Sequence, residues 1–314
     1  MSRTGIHSSW RPYIVLVLGL LVVSSSSIMI RFAQAESASS LVISAWRLGL
    51  ATLILTPIVY ARYRADLTRL TRREIGLALL SGAFLGVHFA SWITSLEYTS
   101  VINSVVLVST SPLWVALIAP LVLRERLNRM TLIGIVIAIG GGCLVSVGSS
   151  AGSAPHQDNP LLGNALAVIG AIAVSGYFII GRRLRSGVSL IPYIWLTYGG
   201  AAILLCLTVL VTGQPVAGLP ANAYLWMTLL ALFPQLIGHS AYNYALGYLS
   251  AAYVSLTVLG EPISSAILAA LFLGEQPGAL QLIGSVLIML ALMIASREEA
   301  QAARRVRQQA AVTG

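Results

Sequence analysis

With 314 residues, 57% of them hydrophobic, only 9% charged and a mean hydropathy of +0.86, the chain is excluded from the ordinary soluble class, where about a quarter of residues are charged. Its cations are all arginine, since there is no lysine. A net charge of +9 in so apolar a chain reads as membrane topology and attraction to anionic lipid, not as a nucleic-acid footprint. The two cysteines, Cys143 and Cys206, form no spaced framework. They imply neither metal nor disulfide and read as small packing residues.

About 20 mainly apolar residues suffice to span the hydrocarbon as a helix. In chain order the first half offers such runs at 13–32, 40–60, 74–96, 100–123 and 128–147. The second half offers 161–182, 192–211, 224–244, 251–273 and 279–295. The predicted organisation is therefore a cytoplasmic N-terminus (1–12), a five-helix unit (13–147), an outer linker rich in Gly, Ser and Pro (148–160), a second five-helix unit (161–295) and a cytoplasmic tail (296–314). The tail, with Arg304, Arg305 and Arg307 close together, reads as solvated or headgroup-associated. A basic start, an apolar run and Ala33-Gln34-Ala35 imitate a cleaved secretory signal. The length of the run and its match to a helix inside the chain favour a retained span.

Orientation follows from the arginines. With the N-terminus inside, 17 of the 19 cations fall on the cytoplasmic side, among them Arg62, Arg64, Arg69, Arg72 and Arg73. The remaining two, Arg31 and Arg47, lie in outer portions of the first two helices, a positive-inside pattern.

Residues 101–145 return without a gap as 251–295. By direct comparison 11 of the 45 positions are identical, where chance in so apolar a chain gives about four or five. Pro112 falls on Pro262, Glu125 on Glu275, and Leu132-Ile133-Gly134 on Leu282-Ile283-Gly284. One residue more of offset brings Val17, Gly19, Ser24 and Arg31 onto Val168, Gly170, Ser175 and Arg182. Two related halves of five crossings each predict that the second lies inverted relative to the first, as in carriers that alternate access to a central site.

The segments SPLWVALIAPLVLRERLNRMTLIG and EPISSAILAALFLGEQPGALQLIG resemble the repeated signature of the EamA-type branch of the drug/metabolite transporter superfamily. That signature has a proline early in a helix, a leucine-rich end, a glutamate at the exit and a glycine early in the next helix. Arg124 departs from the usual glycine before the glutamate, which is present at Gly274. The resemblance spans nearly the whole chain and includes Arg47, common in the second helix of the family. It implies an all-α membrane protein of ten helices, two inverted repeats around a central cavity, with both termini cytoplasmic. It further implies export or exchange of amino acids, other small metabolites or drugs.

Several polar residues in apolar helices demand an explanation. Glu261 lies about halfway along the ninth helix, where a charge costs roughly 2.5–3.5 kcal/mol. It either contacts substrate or a proton in a cavity, or satisfies a helix kinked at Pro262. His88 and His239 occupy neighbouring positions of the two repeats; inversion places His88 in the outer half and His239 in the inner half. They serve either the substrate or interhelical hydrogen bonds. Trp92 follows His88 by four residues and Tyr242 aligns with it, as cavity wall or interfacial belt. Tyr177 and Asn243 add polar tips to the same expected cavity. Ser24 to Ser27, Gly82 and Gly86 read as close-packing residues. Arg31 and Arg47 either snorkel outward or pair with Glu36 and Glu97, and with Pro112 and Pro262 are candidates for gating or structure.

These features predict a secondary active carrier of the inner membrane that exports a small metabolite, with protons or the metabolite's own gradient as energy source. No cofactor or metal is expected, and the absence of a GxxxxGK[ST] loop implies no ATPase engine. The alternatives are an uptake permease or exchanger of the same fold, a channel, a non-transporting scaffold, and a membrane-embedded enzyme. The enzyme lacks any recognisable nucleophile elbow or HExxH motif.

Overall fold

A computed structural model describes residues 10–123, 129–150, 159–291 and 293–294, and these are helical apart from short connections. The first half opens with α1 (Arg11–Ser24) and α2 (Ser26–Ala35), one rod bent at Ser25. It continues through α3 (Ser40–Arg62), the short α4 (Arg64–Arg69) and α5 (Arg72–Tyr98). Then come α6 (Val101–Val108) with α7 (Ser111–Leu123), and α8 (Arg129–Ser150). The second half has α9 (Pro160–Arg185), α10 (Leu190–Thr212), and a rod built of α11 (Ala221–Leu230), a π-helix (Ala231–His239) and α12 (Ser240–Leu246). It ends with α13 (Ala251–Thr257), a 3-10 turn (Val258–Gly260), α14 (Glu261–Leu273) and α15 (Ala279–Ala291). Among the described residues seven helical stretches are long and apolar enough to cross a membrane, and α14 and α15 are shorter apolar helices. Arg124, Glu125, Arg126, residues 151–158 of the linker and the tail from 295 onward lie outside the described residues.

Helix ends follow local chemistry. The Ser39 and Ser100 hydroxyls accept from the backbone N–H of Val42 and Asn103, and Thr71 with Glu74 forms a reciprocal capping box. Gly213 and Gly274 close α10 and α14 with φ of 65° and 66°, a left-handed turn that costs glycine little.

The runs at 13–32, 100–123, 224–244 and 251–273 are each expected as one span, the last kinked at Pro262, and all four are interrupted. In the fourth and ninth expected helices the breaks fall at residues 109–110 and 258–260, positions that the repeat superposes. Pro112 and Pro262 stand in the first turn of the helix that follows. They cannot donate to the turn before, so each starts a new helix. Pro234 lies inside the π segment for the same reason. At Ser25, hydroxyls of Ser24 and Ser25 bond back to the carbonyls of Leu20 and Val22 and bend the rod.

The molecule is apolar outside and polar within. Val211, Leu210 and Leu271 are 85%, 76% and 73% exposed, whereas Ser26, Arg47, Asn103, Gln235 and Asn243 are fully buried. That inversion of the soluble pattern suits lipid, which solvates leucine and leaves polar groups to find one another. The cysteines correct the expectation of packing residues. Both Cys143 and Cys206 are exposed, on the apolar periphery.

Small residues lock the halves together. A methyl group placed on Gly19 of α1 would lie 2.6 Å from the Cβ of Ala241 in α12, and one on Gly170 of α9 would lie 3.2 Å from the Cβ of Trp92 in α5. Gly19 and Gly170 are repeat partners, as are Ala241 and Ser91, so the first helix of each half packs on the third helix of the other. Serines add to this: Ser265 donates to the Ser24 carbonyl at 3.0 Å and Ser175 to the Ser111 carbonyl at 2.9 Å. Gly82 and Gly86 pack against α10, as their size predicts.

Candidate functional site

A cavity of about 380 Å³ lies where these interlocked helices meet. Its lining includes His88, Trp92, His239, Tyr242, Ser111 and Glu261. Four pairs of lining residues are related by the repeat offsets: Val23 with Val174, Trp92 with Tyr242, Val108 with Val258, and Ser111 with Glu261. The cavity is thus built from equivalent positions of both halves. It is narrow.

Each wall residue is placed by its local backbone. His88 and Trp92 share a face of α5 one turn apart, and their rings stack at 5.7 Å and 14°. His88 Nδ1 lies 2.9 Å from the Gly170 carbonyl. His239 closes the π-helix, where the widened turn carries its ring toward His88, with centroids 6.5 Å apart. The two histidines, expected in the outer and inner halves, thus meet ring to ring across the cavity. Trp92 and Tyr242 are 2% exposed, which corrects the interfacial-belt alternative. Glu261 opens α14, so its carboxylate stands at a helix N-terminus, where the backbone dipole favours negative charge. No hydrogen bond joins it to the backbone beside Pro262 among the described residues; its electrostatic partner is Arg47.

Tyr177 and Asn243 are expected in the lining and stand behind it instead. The Asn243 amide donates to the Tyr177 hydroxyl, to the Tyr198 hydroxyl at 3.4 Å and to the His239 carbonyl at 2.9 Å. Buried polar tips in lipid seek each other, and here they brace His239.

Arg47 corrects the expectation that it snorkels or meets Glu36 or Glu97. It is fully buried, donating from Nε to Gln235 Oε1 and from Nη1 to Ser26 Oγ, both at 2.8 Å, with its guanidinium 4.1 Å from the Phe89 ring centre. Its Nη2 has no hydrogen-bond partner, and no described carboxylate lies within ion-pair distance of it. Glu97 is taken by Ser40, and Glu36 by Asn222.

Arg31 ends with a different acid from those expected. It pairs with Glu275 at 3.6 Å. Glu275 also accepts from the backbone N–H of Val101 and Ile102 at 3.1 and 3.4 Å, and so caps α6 from the end of α14. Nearby, Gln281 donates to Asn103 Oδ1 at 2.9 Å. These contacts close one end of the bundle across the two halves. Pro112 and Pro262 are buried beside the helix breaks and do not line the cavity.

Four polar atoms on the lining have no protein partner: Trp92 Nε1, Ser111 Oγ, His239 Nδ1 and the Tyr242 hydroxyl. Each buried group left so costs about 1–3 kcal/mol. A ligand offering donors and acceptors beside an apolar body would satisfy them. Ser111 and Gln235 were legible only weakly, Ser111 through its alignment with Glu261 and Gln235 as an amide beside a helix-breaking proline. Among the described residues no group of His, Cys, Asp or Glu is arranged to hold a metal.

The profile of the EamA-like transporter family matches residues 10–147 and again 161–297. The chain is 24% identical over 257 residues to the uncharacterized transporter YyaM of Bacillus subtilis, covering 81% of this chain and 83% of that one. It is 27% identical over 197 residues to a Streptantibioticus cattleyicolor protein named "Probable terminal-alkyne amino-acid exporter", covering 61% and 62%. A solved crystal structure superposes with a TM-score of 0.66 at 18% identity, over 95% of this chain and 99% of the other, which shows a shared fold.

Proposed function

The chain belongs to the EamA-like transporter family, and from that premise we propose that it exports small amphipathic metabolites, amino acids or close relatives, by alternating access. It is a multi-pass membrane transporter and not an enzyme. In the proposed arrangement ten spans form two inverted repeats (13–147 and 161–295) joined by an outer linker (148–160), with both termini cytoplasmic.

The observation that carries this reading is the cavity lined by repeat-related pairs with four unpartnered polar atoms. A site drawn equally from both halves is reached from either face when one half rocks against the other. Its aromatic walls suit an apolar side chain, while Glu261 on the lining offers a negative charge for an ammonium. The amino-acid exporter name borne by the Streptantibioticus relative points the same way. Glu275 with Arg31 and the α6 N-terminus is then the outer gate in its closed state.

Counterflow in proteoliposomes tests the proposal. Vesicles preloaded with an unlabelled amino acid are expected to take up labelled amino acid faster than empty ones, with saturation. Flux that neither saturates nor accelerates marks a channel, and loss of all counterflow across aromatic, aliphatic and polar amino acids removes this substrate class.

A further inference from the structure

A second concavity, about 880 Å³, opens on the apolar periphery between α3, α5 and α10. Gly49, Leu53, Leu79, Trp195, Gly199 and Ile203 are among its walls. It offers nothing polar: the Thr52 hydroxyl bonds back to the Leu48 carbonyl at 2.7 Å and Trp195 Nε1 donates to Thr56 at 3.0 Å. Gly49, Gly199 and Gly200 keep its floor low, and at Gly49 a Cβ would touch nothing within 4 Å.

At one end of the same helices stand Arg62, Arg64, Arg69, Arg72 and Arg73, all exposed and none in an ion pair with a described residue. The two acids among them are otherwise engaged. Asp66 accepts from Ser189, which ties α4 to the start of α10, and Glu74 caps Thr71. The basic segment is thereby fastened over the third wall of the groove. Between arginines and groove the Tyr60 and Trp195 rings meet edge to face at 5.9 Å, a pairing suited to the level where headgroups meet hydrocarbon.

We propose that α3, α4, α5 and α10 form a binding site for one anionic phospholipid, its phosphate on the arginines and one acyl chain in the groove. The spacing supports a single molecule. Leu79 lies seven residues beyond Arg72 and Leu53 nine before Arg62, about 10 and 14 Å along their helices at 1.5 Å per residue. An acyl chain covering half of the roughly 30 Å hydrocarbon reaches that far. The arginines supply preference for a negative headgroup, and the groove distinguishes this from diffuse surface attraction.

Native mass spectrometry of the full chain, released from vesicles of phosphatidylglycerol and phosphatidylcholine in 1:3 ratio with identical acyl chains, tests it. One retained phosphatidylglycerol is expected, with the ratio of phosphatidylglycerol to phosphatidylcholine among retained lipid raised about tenfold over that of the vesicle. The surface variant Arg69→Gln/Arg72→Gln/Arg73→Gln is expected to bring the retained lipid back towards the vesicle composition. Gly49→Phe, which fills the groove and leaves the charges in place, is expected to lower retained lipid of both kinds at least fivefold, on the order of losing the chain's burial. Equal retention of the two lipids, or retention unaltered by either variant, overturns the proposal. A dimer abolished by Gly49→Phe, with no lipid retained, assigns the groove to a second copy of the chain and overturns it as well.

Discussion

Tyr242 carries a hydroxyl without a protein partner in a cavity wall, and it separates stability from function. Tyr242→Phe removes a buried unsatisfied group, so folded protein and melting temperature should hold or rise. If substrate uses that hydroxyl, KM should rise about fivefold to tenfold, roughly 1–1.4 kcal/mol. Unchanged transport kinetics would detach the hydroxyl from the site. Glu261→Gln keeps shape and hydrogen bonding but cannot ionise. Since the carboxylate lines the cavity and holds no kinked backbone, its loss should raise KM for an amino acid about tenfold, about 1.4 kcal/mol, at unchanged expression. Normal KM with normal accumulation would return Glu261 to a purely structural role, and loss of pH-driven accumulation with intact counterflow would make it a proton carrier. Much of this wall was legible beforehand: His88 and Trp92 share a helical face, and the repeat offset carries Trp92 onto Tyr242. Arg47 was not legible, because periodicity places a Cα on a face but leaves a six-bond side chain free to run outward to water or inward to Gln235.

At the scale of helices the interrupted rods carry the mechanism. Proline at the same repeat position, 112 and 262, starts a new helix in each half, and it marks the break in the sequence without telling a kink from a full interruption. The π-helix was hidden, since Pro234 alone does not reveal which turn widens. Glu275 stood out as half of a motif, yet its partners come from two other helices more than 170 residues away in sequence, beyond the reach of local pattern. Glu275→Gln removes a charge from the α6 N-terminus and from Arg31, where such a charge contributes about 0.3–2 kcal/mol. The proposed outer gate should then open more often. In a background lacking Cys143 and Cys206, a cysteine at Val108 should react about threefold to tenfold faster with an impermeant thiol reagent applied from outside. Unaltered reactivity would show that this cap holds helices together without gating.

For the whole molecule, arginine asymmetry gave an orientation that labelling can check. With both native cysteines removed, a cysteine at Ser153 should react with an impermeant reagent in intact spheroplasts and one at Thr68 only after permeabilisation. The reverse pattern would invert the topology. Duplication was visible in the sequence, but how the copies engage was not, because glycine and serine reveal a close approach without naming the neighbour. Their engagement bears on biogenesis. Gly19 finds Gly238 and Ala241, and Gly170 finds His88 and Trp92, so neither copy contains the partner its own first helix needs. A nascent chain halted after 150 residues would hold a notch at Gly19 filled only by lipid, a substrate for membrane quality control. The two halves expressed as separate polypeptides should therefore be degraded singly and rescue one another when made together, because each supplies the surface on which the other's first helix closes.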